Sequence, residues 1–168
     1  DYQAEVQVII TVLSVDFEND PDVIALTAAS AALTISDIPW NGPIASVRVG
    51  RQNGGFMLNP TEEEKTFSNL DLVIAATASE ITMIEAQADQ VEEAALVKAL
   101  EFGLKESQAV IKLIEDFASV VGVKKQEYQS IKLPPEKELE VKDFITGNLV
   151  VELEKPEIAQ DETRFKSA

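Results

Sequence analysis

From Asp89 to Val121 the chain sets an apolar or small residue at every third or fourth position: Leu96, Leu100, Gly103, Ser107, Ile111, Ile114, Ala118 and Val121. That spacing predicts one long helix with a single buried stripe. A stripe of this length needs an equally long apolar partner. Gly103 and Ser107 carry too little side chain to hold that partner away, so the closest approach is expected there. Asp89, three residues before Glu92, resembles a capping box with Asp in the Ser/Thr place.

The partner lies upstream. Ile44–Gln52 alternates as a strand, Asn53-Gly54-Gly55 supplies the positive-φ residues of a tight hairpin, and Phe56–Leu58 returns. Leu70–Thr77 and Ile81–Ala86 read as two further strands around Ala78-Ser79-Glu80, while Thr61–Lys65 reads as a polar or short helical turn. Glu5–Phe17 is almost continuously apolar, which predicts a strand covered on both faces. After it, Asp20 is suited to cap a helix, Pro21 to its first position and Asp22 to its dipole. That helix is rich in alanine, as expected of one pressed against a sheet, and ends near Ser36–Asp37, ahead of Ile38-Pro39. Strand, helix, a run of strands and a helix make an α+β fold. Trp40 stands in the turn Trp40-Asn41-Gly42-Pro43, where burial competes with stacking on a base.

Charge and composition then remove function classes. The 168 residues hold 30 carboxylates against 14 Lys and Arg, a net charge of −16, with no His and no Cys. Disulfide frameworks, zinc fingers, thiol nucleophiles and His-based triads are excluded. So large an acidic excess repels phosphate backbones. No apolar run reaches the ~20 residues of a membrane span, so no membrane partner is expected, and a cytoplasmic location is. The chain begins at Asp1 directly before an apolar run, and reads as a fragment. Beyond Gly122 its character changes to mixed charge with weak periodicity, which places a boundary there: 1–122 as one domain, 123–168 as linker and the start of another. In the second part Pro134-Pro135 precedes a marginal helix in which Leu139, Phe144 and Ile145 are the strong apolar residues.

Three stretches, VQVIITVLSVD, NDPDVIALTAASAALTISDIPWNGPIASVRVG and LNPTEEEKTFSNLDLVIAAT, continued by ALVKALEFGLKESQAVIKLI, carry a family likeness. Together they resemble the first of the two RNase PH-type cores of the bacterial polynucleotide phosphorylase family, in order and spacing. The resemblance implies a partial RNase PH-like core, of the ribosomal protein S5 domain 2-type βαβ fold, followed by the beginning of an all-α linker domain. It implies a parent enzyme that degrades RNA and mRNA from the 3′ end by phosphorolysis and runs in reverse as a polyribonucleotide nucleotidyltransferase. Mg²⁺ and inorganic phosphate serve such an enzyme, and three subunits form a ring around single-stranded RNA. An alternative is a stand-alone non-catalytic scaffold or RNA-binding subunit of an exosome-like ring. The remainder of its own polypeptide, or further copies of the fragment, are the expected partners of the isolated chain.

The same resemblance locates a degenerate site. Where the family's catalytic core binds phosphate at a helix N-terminus, this chain has Asp20, Pro21 and Asp22. At about 6 Å and an effective dielectric near 20, each carboxylate would repel an anion by about 3 kcal/mol. Where that core has two aspartates and a lysine, this chain has Lys65, Asp71 and Val73. No catalytic residue, no metal site and no bound cofactor are therefore expected in this segment, with Asp71 an ordinary strand-start residue and Glu62, Glu63 and Glu64 a solvated turn. Arg48 and Arg51, the only cations among residues 1–58, are the candidates for RNA contact, and otherwise face solvent on opposite sides of one strand.

Overall fold

The computed structural model describes residues 2–129 and 134–150. Residues Ala4–Tyr128 form one compact unit. It opens with an apolar run outside any helix or strand and continues into α1 (Pro21–Ile35). The hairpin β1 (Ala45–Gln52) and β2 (Gly55–Leu58) follows, then α2 (Glu62–Lys65), β3 (Leu70–Ala76), β4 (Ile81–Ala88) and α3 (Glu93–Val121). The four strands make one antiparallel sheet in the order β2-β1-β3-β4. Asn53 (φ 52) and Gly54 (φ 83) close the hairpin in the left-handed geometry the sequence calls for.

Alternation gives the sheet two faces. Val47 and Val49 of β1 and Leu70, Leu72 and Ile74 of β3 are buried together with Ala99 of α3. Against them α3 buries Gly103, Ser107, Ile111 and Ile114. The close approach falls at Gly103, where a Cβ would stand 2.7 Å from Ile74 Cδ1 and 3.1 Å from Val49 Cγ2. The other face carries Arg48 and Gly50 of β1, Asp71 and Val73 of β3, and Glu85 and Gln87 of β4, in register across the ladder. At the C-terminal end of α1 the Lys125 ammonium donates to the carbonyls of Leu33, Thr34 and Ser36 at 2.7, 3.0 and 2.8 Å. These are the orphan acceptors a helix end leaves. The chain after α3 is pinned there by Val123 N–H to Ile35 O and Gln126 N–H to Asp37 O.

Three local expectations are corrected. Residues 5–17 form no strand: they join no ladder, and Ile9, Leu13 and Phe17 are 77%, 93% and 87% exposed. β-forming composition does not by itself place a strand, which also needs a ladder partner, and this run pairs with neither of the sheet's outer strands, β2 or β4. The capping box is not at Asp89. Glu92 is the N-cap of α3 without a side-chain bond, whereas Thr61 and Glu64 form a reciprocal box at α2. The stripe also ends early, since Val121 is exposed. Trp40 lies half-buried over Gly42, its Nε1 enclosed without an acceptor.

In the second unit α4 (Pro135–Phe144) runs into a single π-helical segment, Ile145–Val150. No residue of α4 is buried, in keeping with a helix of weak periodicity. The tail beyond Pro156 falls outside the described residues.

Candidate functional site

The degenerate positions named from the sequence converge on one side chain that the sequence reading places elsewhere. Asp20 and Asp22 sit at the N-terminus of α1, Asp71 on the second residue of β3, and Arg48 in the middle of β1. The Arg48 guanidinium reaches all three. Its Nη1 donates to Asp71 Oδ1 and Oδ2 at 2.8 and 2.7 Å, and its Nη2 to Asp22 Oδ2 at 2.5 Å, with Asp20 Oδ2 at 3.2 Å. The Arg48 side chain is 10% exposed, against 27% for Asp20, 50% for Asp22 and 38% for Asp71. The expectation that Arg48 faces solvent is thus corrected: it is buried and triply paired.

Backbone geometry explains the meeting. Arg48 lies opposite Val73 and Gly50 opposite Asp71, so Arg48 and Asp71 are diagonal neighbours on one face, within reach of a long side chain. Val73 is half-buried beside them. A buried charge is tolerated when paired and hydrogen-bonded, and Asp71 supplies a carboxylate with both oxygens engaged. Burial alone would lower the Arg48 pKa, but Asp71, Asp22 and Asp20 outweigh it and raise it. The charge is permanent.

Lys65 completes the cluster. Its ammonium bonds Asp20 Oδ2 at 3.2 Å and pairs with Glu62. The Glu62 bond, which outweighs burial, and the Asp20 bond hold its pKa above the ordinary lysine value. Asp20 is pushed up by burial, yet the Asp22 N–H, Lys65 and Arg48 together bring it below the usual carboxylate range. Among the acids of α2, Glu62 serves Lys65 and Glu64 serves Thr61. Arg51 projects to the opposite face, half-buried, and donates to the Asn69 side chain.

This arrangement bears on the Mg²⁺ and phosphate that the family resemblance implies. The acids that would hold a divalent cation already hold a guanidinium. Among the described residues no three acids are placed to hold a metal ion. At the α1 N-terminus Pro21 has no N–H, Asp20 accepts from Asp22 N–H at 3.3 Å and Asp22 from Val23 N–H at 2.5 Å. The chain's own acids take the N–H groups an anion would use. Neither group fits here. The reason differs from the one read in the sequence: occupancy by Arg48 and by capping acids excludes the ligands, while the bare repulsion is largely neutralised by Arg48 and Lys65. Sequence reasoning named Arg48 for RNA contact but missed its place among these acids, because a charge between Val47 and Val49 announces burial only once the diagonal acid is known.

The antiparallel sheet and the first half of the long helix behind it coincide with a family match. The model of the 3′ exoribonuclease family, domain 2, matches residues 42–106. Rice (Oryza sativa) Rrp46 shares the fold, with a TM-score of 0.55 and 16% identity over 61% of this chain and 49% of that one. Polyribonucleotide nucleotidyltransferase of Thermus thermophilus is 49% identical over 139 residues, 83% of this chain and 20% of that protein. The Deinococcus deserti protein of the same name is 53% identical over 124 residues (74% and 17%), and that of Halothermothrix orenii 40% over 156 (93% and 22%). The chain belongs to the polyribonucleotide nucleotidyltransferase family, and spans about one fifth of the length of these relatives.

Proposed function

We propose that this chain is the first-core segment of a phosphate-dependent 3′→5′ exoribonuclease and polyribonucleotide nucleotidyltransferase of RNA and mRNA degradation, and that the segment is a structural core without chemistry of its own. The observation that carries the second half is the Arg48 guanidinium lodged between Asp22 and Asp71. Phosphoryl transfer of this kind needs a cation to stabilise the charge developing on the transferred group and a nest for the attacking phosphate. Arg48 and the acid-capped α1 leave room for neither.

In this reading Mg²⁺ and inorganic phosphate act in a second core of the same polypeptide. Three such polypeptides form a cytoplasmic ring, and the present segment fills alternate positions in it and shapes the channel for single-stranded RNA. Of the two arginines considered for RNA contact, only Arg51 keeps solvent exposure, and the contact is assigned to it. Identities of 40–53% to complete nucleotidyltransferases, against 16% to Rrp46, favour this reading over a stand-alone ring subunit.

The test is a phosphorolysis assay of the purified 168-residue chain, with oligo(A), Mg²⁺ and labelled orthophosphate. No labelled ADP is expected. ADP release by the unsubstituted chain that persists in Asp22→Ala and Asp71→Ala variants would overturn the non-catalytic role, and release lost in those variants would also overturn the reading of these two positions as degenerate.

A further inference from the structure

We propose that β4 is an open docking edge whose occupant is the apolar run 6–15 of a second copy of this chain, added to the sheet as a fifth strand. The proposal rests on the sheet's edges and not on the reading of Arg48, so either can fail without the other. Ladder phase fixes which groups of β4 point outward. The two-residue hairpin sets Gln52 opposite Gly55, so alternate residues of β1 back to Arg48 turn their backbone groups to β2, as the bond from Asn59 N–H to Arg48 O shows. Carried across β1 and β3, that alternation gives the β3 side of β4 to Met83, Glu85 and Gln87. The bond from Asp89 N–H to Asn69 O continues the same phase. The N–H and C=O groups of Ile84, Ala86 and Ala88 therefore face away from β3, where no further described strand lies. Every residue from Thr82 to Ala88 is exposed. The other edge, β2, is only four residues long. Long edges are ordinarily guarded by Lys, Pro, a bulge or a cover. β4 (ITMIEAQA) has neither Lys nor Pro, its one charge is Glu85, and its register shift falls at its start, opposite Ala75 and Ala76.

Charge and side-chain pattern choose between the two strand-forming segments a second copy brings, its own β4 and its residues 6–15. A two-fold axis that keeps the faces of the sheet sets Ile84 against Ile84 or Glu85 against Glu85 in the registers that pair most of β4. The two Glu85 carboxylates then lie on a diagonal of about 7–8 Å or directly opposite, and like charges so placed oppose pairing. Residues 6–15 (VQVIITVLSV) carry no charge, no Gly and no Pro, and seven of the ten are β-branched. Alternation divides them as it divides β4. Val6, Val8, Ile10 and Val12 make one wholly apolar side, while Gln7, Ile9, Thr11 and Leu13 make a mixed one. On β4, Ile84, Ala86 and Ala88 share the side of Ile74, Leu72 and Leu70, and Glu85 and Gln87 share the side of Val73 and Asp71. Apolar meets apolar when the even residues of the run join Ile84, which is 54% exposed in the single chain. The run itself has no ladder partner within its own copy.

The experiment follows amide hydrogen exchange of the full chain by NMR at micromolar and near-millimolar concentration. The outward N–H groups of Ile84, Ala86 and Ala88 should exchange about tenfold more slowly, or slower still, in the concentrated sample, together with alternate amides of residues 6–15. Those of Met83, Glu85 and Gln87, already in the ladder, should be protected in both. The partner is identified in a mixture. Unlabelled chains carry a nitroxide on Ser79→Cys, in the exposed turn before β4 of a chain without other cysteine, and the remaining copies carry ¹⁵N. Broadening should fall on residues 6–15 of the ¹⁵N copies. Ala86→Pro removes an outward N–H and no bond to β3, a place where an edge strand accepts proline. It should keep its Tm and abolish the concentration-dependent protection. Thr11→Pro, outside the sheet core, should do the same from the other side of the contact, and decides the matter if Ala86→Pro does not fold. Exchange at Ile84, Ala86 and Ala88 that is independent of concentration would overturn the proposal. So would broadening confined to β4, which marks self-pairing of that strand, or full protection in a folded proline variant.

Discussion

Arg48 shows how one side chain can settle the chemistry of a whole face. Replacing it by Met keeps the buried stem but strands three acids around a neutral group. Loss of one partner from a buried pair commonly costs 3–5 kcal/mol. Asp22 and Asp71 remain partly in water, so Arg48→Met is expected to cost about 2 kcal/mol, measured by urea denaturation. Asp22→Asn, at the exposed end of the cluster, should cost less than half as much. Acid should act on the same residues. Asp20 titrates below its unfolded value of 3.8, so its contribution is fully present above pH 3.8 and is lost as pH falls through its lowered value. Asp16 behaves alike: the Asn19 backbone N–H foremost, with the Asn19 side chain and the Glu18 N–H, draws it down to about 2. A titration of the Asn19 amide shift by NMR should therefore show its midpoint near pH 2, and a midpoint near 4 would contradict the turn.

Among the elements, α3 was the most legible in sequence. Its stripe repeats for more than five turns, and a repeat that long has one physical solution. The hairpin was equally plain, because Asn53 and Gly54 are cheap in the left-handed region and most residues are not. What stayed hidden depended on partners far along the chain. Residues 5–17 have the composition of a strand but pair with neither outer strand of the sheet, and Lys125 caps α1 from about ninety residues away. The candidate site was half legible: the positions Asp20, Asp22, Lys65 and Asp71 could be named together, but Arg48 was read for RNA contact and not as the cation that joins the three acids. The contact at Gly103 gives a sharp test at this scale. Gly103→Ala gains up to about 1 kcal/mol of helix propensity but drives a methyl to 2.7 Å from Ile74 Cδ1. The net effect should be a loss of about 1–2 kcal/mol, typical of overpacking. Ile74→Val removes the offending methyl. Alone it should destabilise, by about 1 kcal/mol, yet in the Gly103→Ala background it should recover part of the loss. Additive effects in that double-mutant cycle would place the strain elsewhere.

At the scale of the molecule, the uncovered surface is the main feature. Ile9, Leu13, Phe17 and Ile24 stand 65% exposed or more, and the apolar run lies along α1 with a groove of about 540 Å³ between them. Contiguous apolar surface next to backbone that joins no ladder invites association with another chain. The net charge of −16 opposes that association at long range, but salt screens it with a length of about 8 Å at physiological ionic strength. Two opposing terms with different salt dependence make the outcome readable. Static light scattering at micromolar concentration should show the chain associating, more strongly as salt rises from 20 to about 300 mM while the Debye length shortens. Leu13 and Ile9 are largely exposed and lie outside the sheet core, so Leu13→Glu and Ile9→Glu should lower the associated fraction and leave the Tm of the Ala4–Tyr128 unit within about a degree or two of its starting value. A chain that stays monomeric across that salt range, or that associates equally well with both glutamates in place, would show that residues 5–17 are not the adhesive surface.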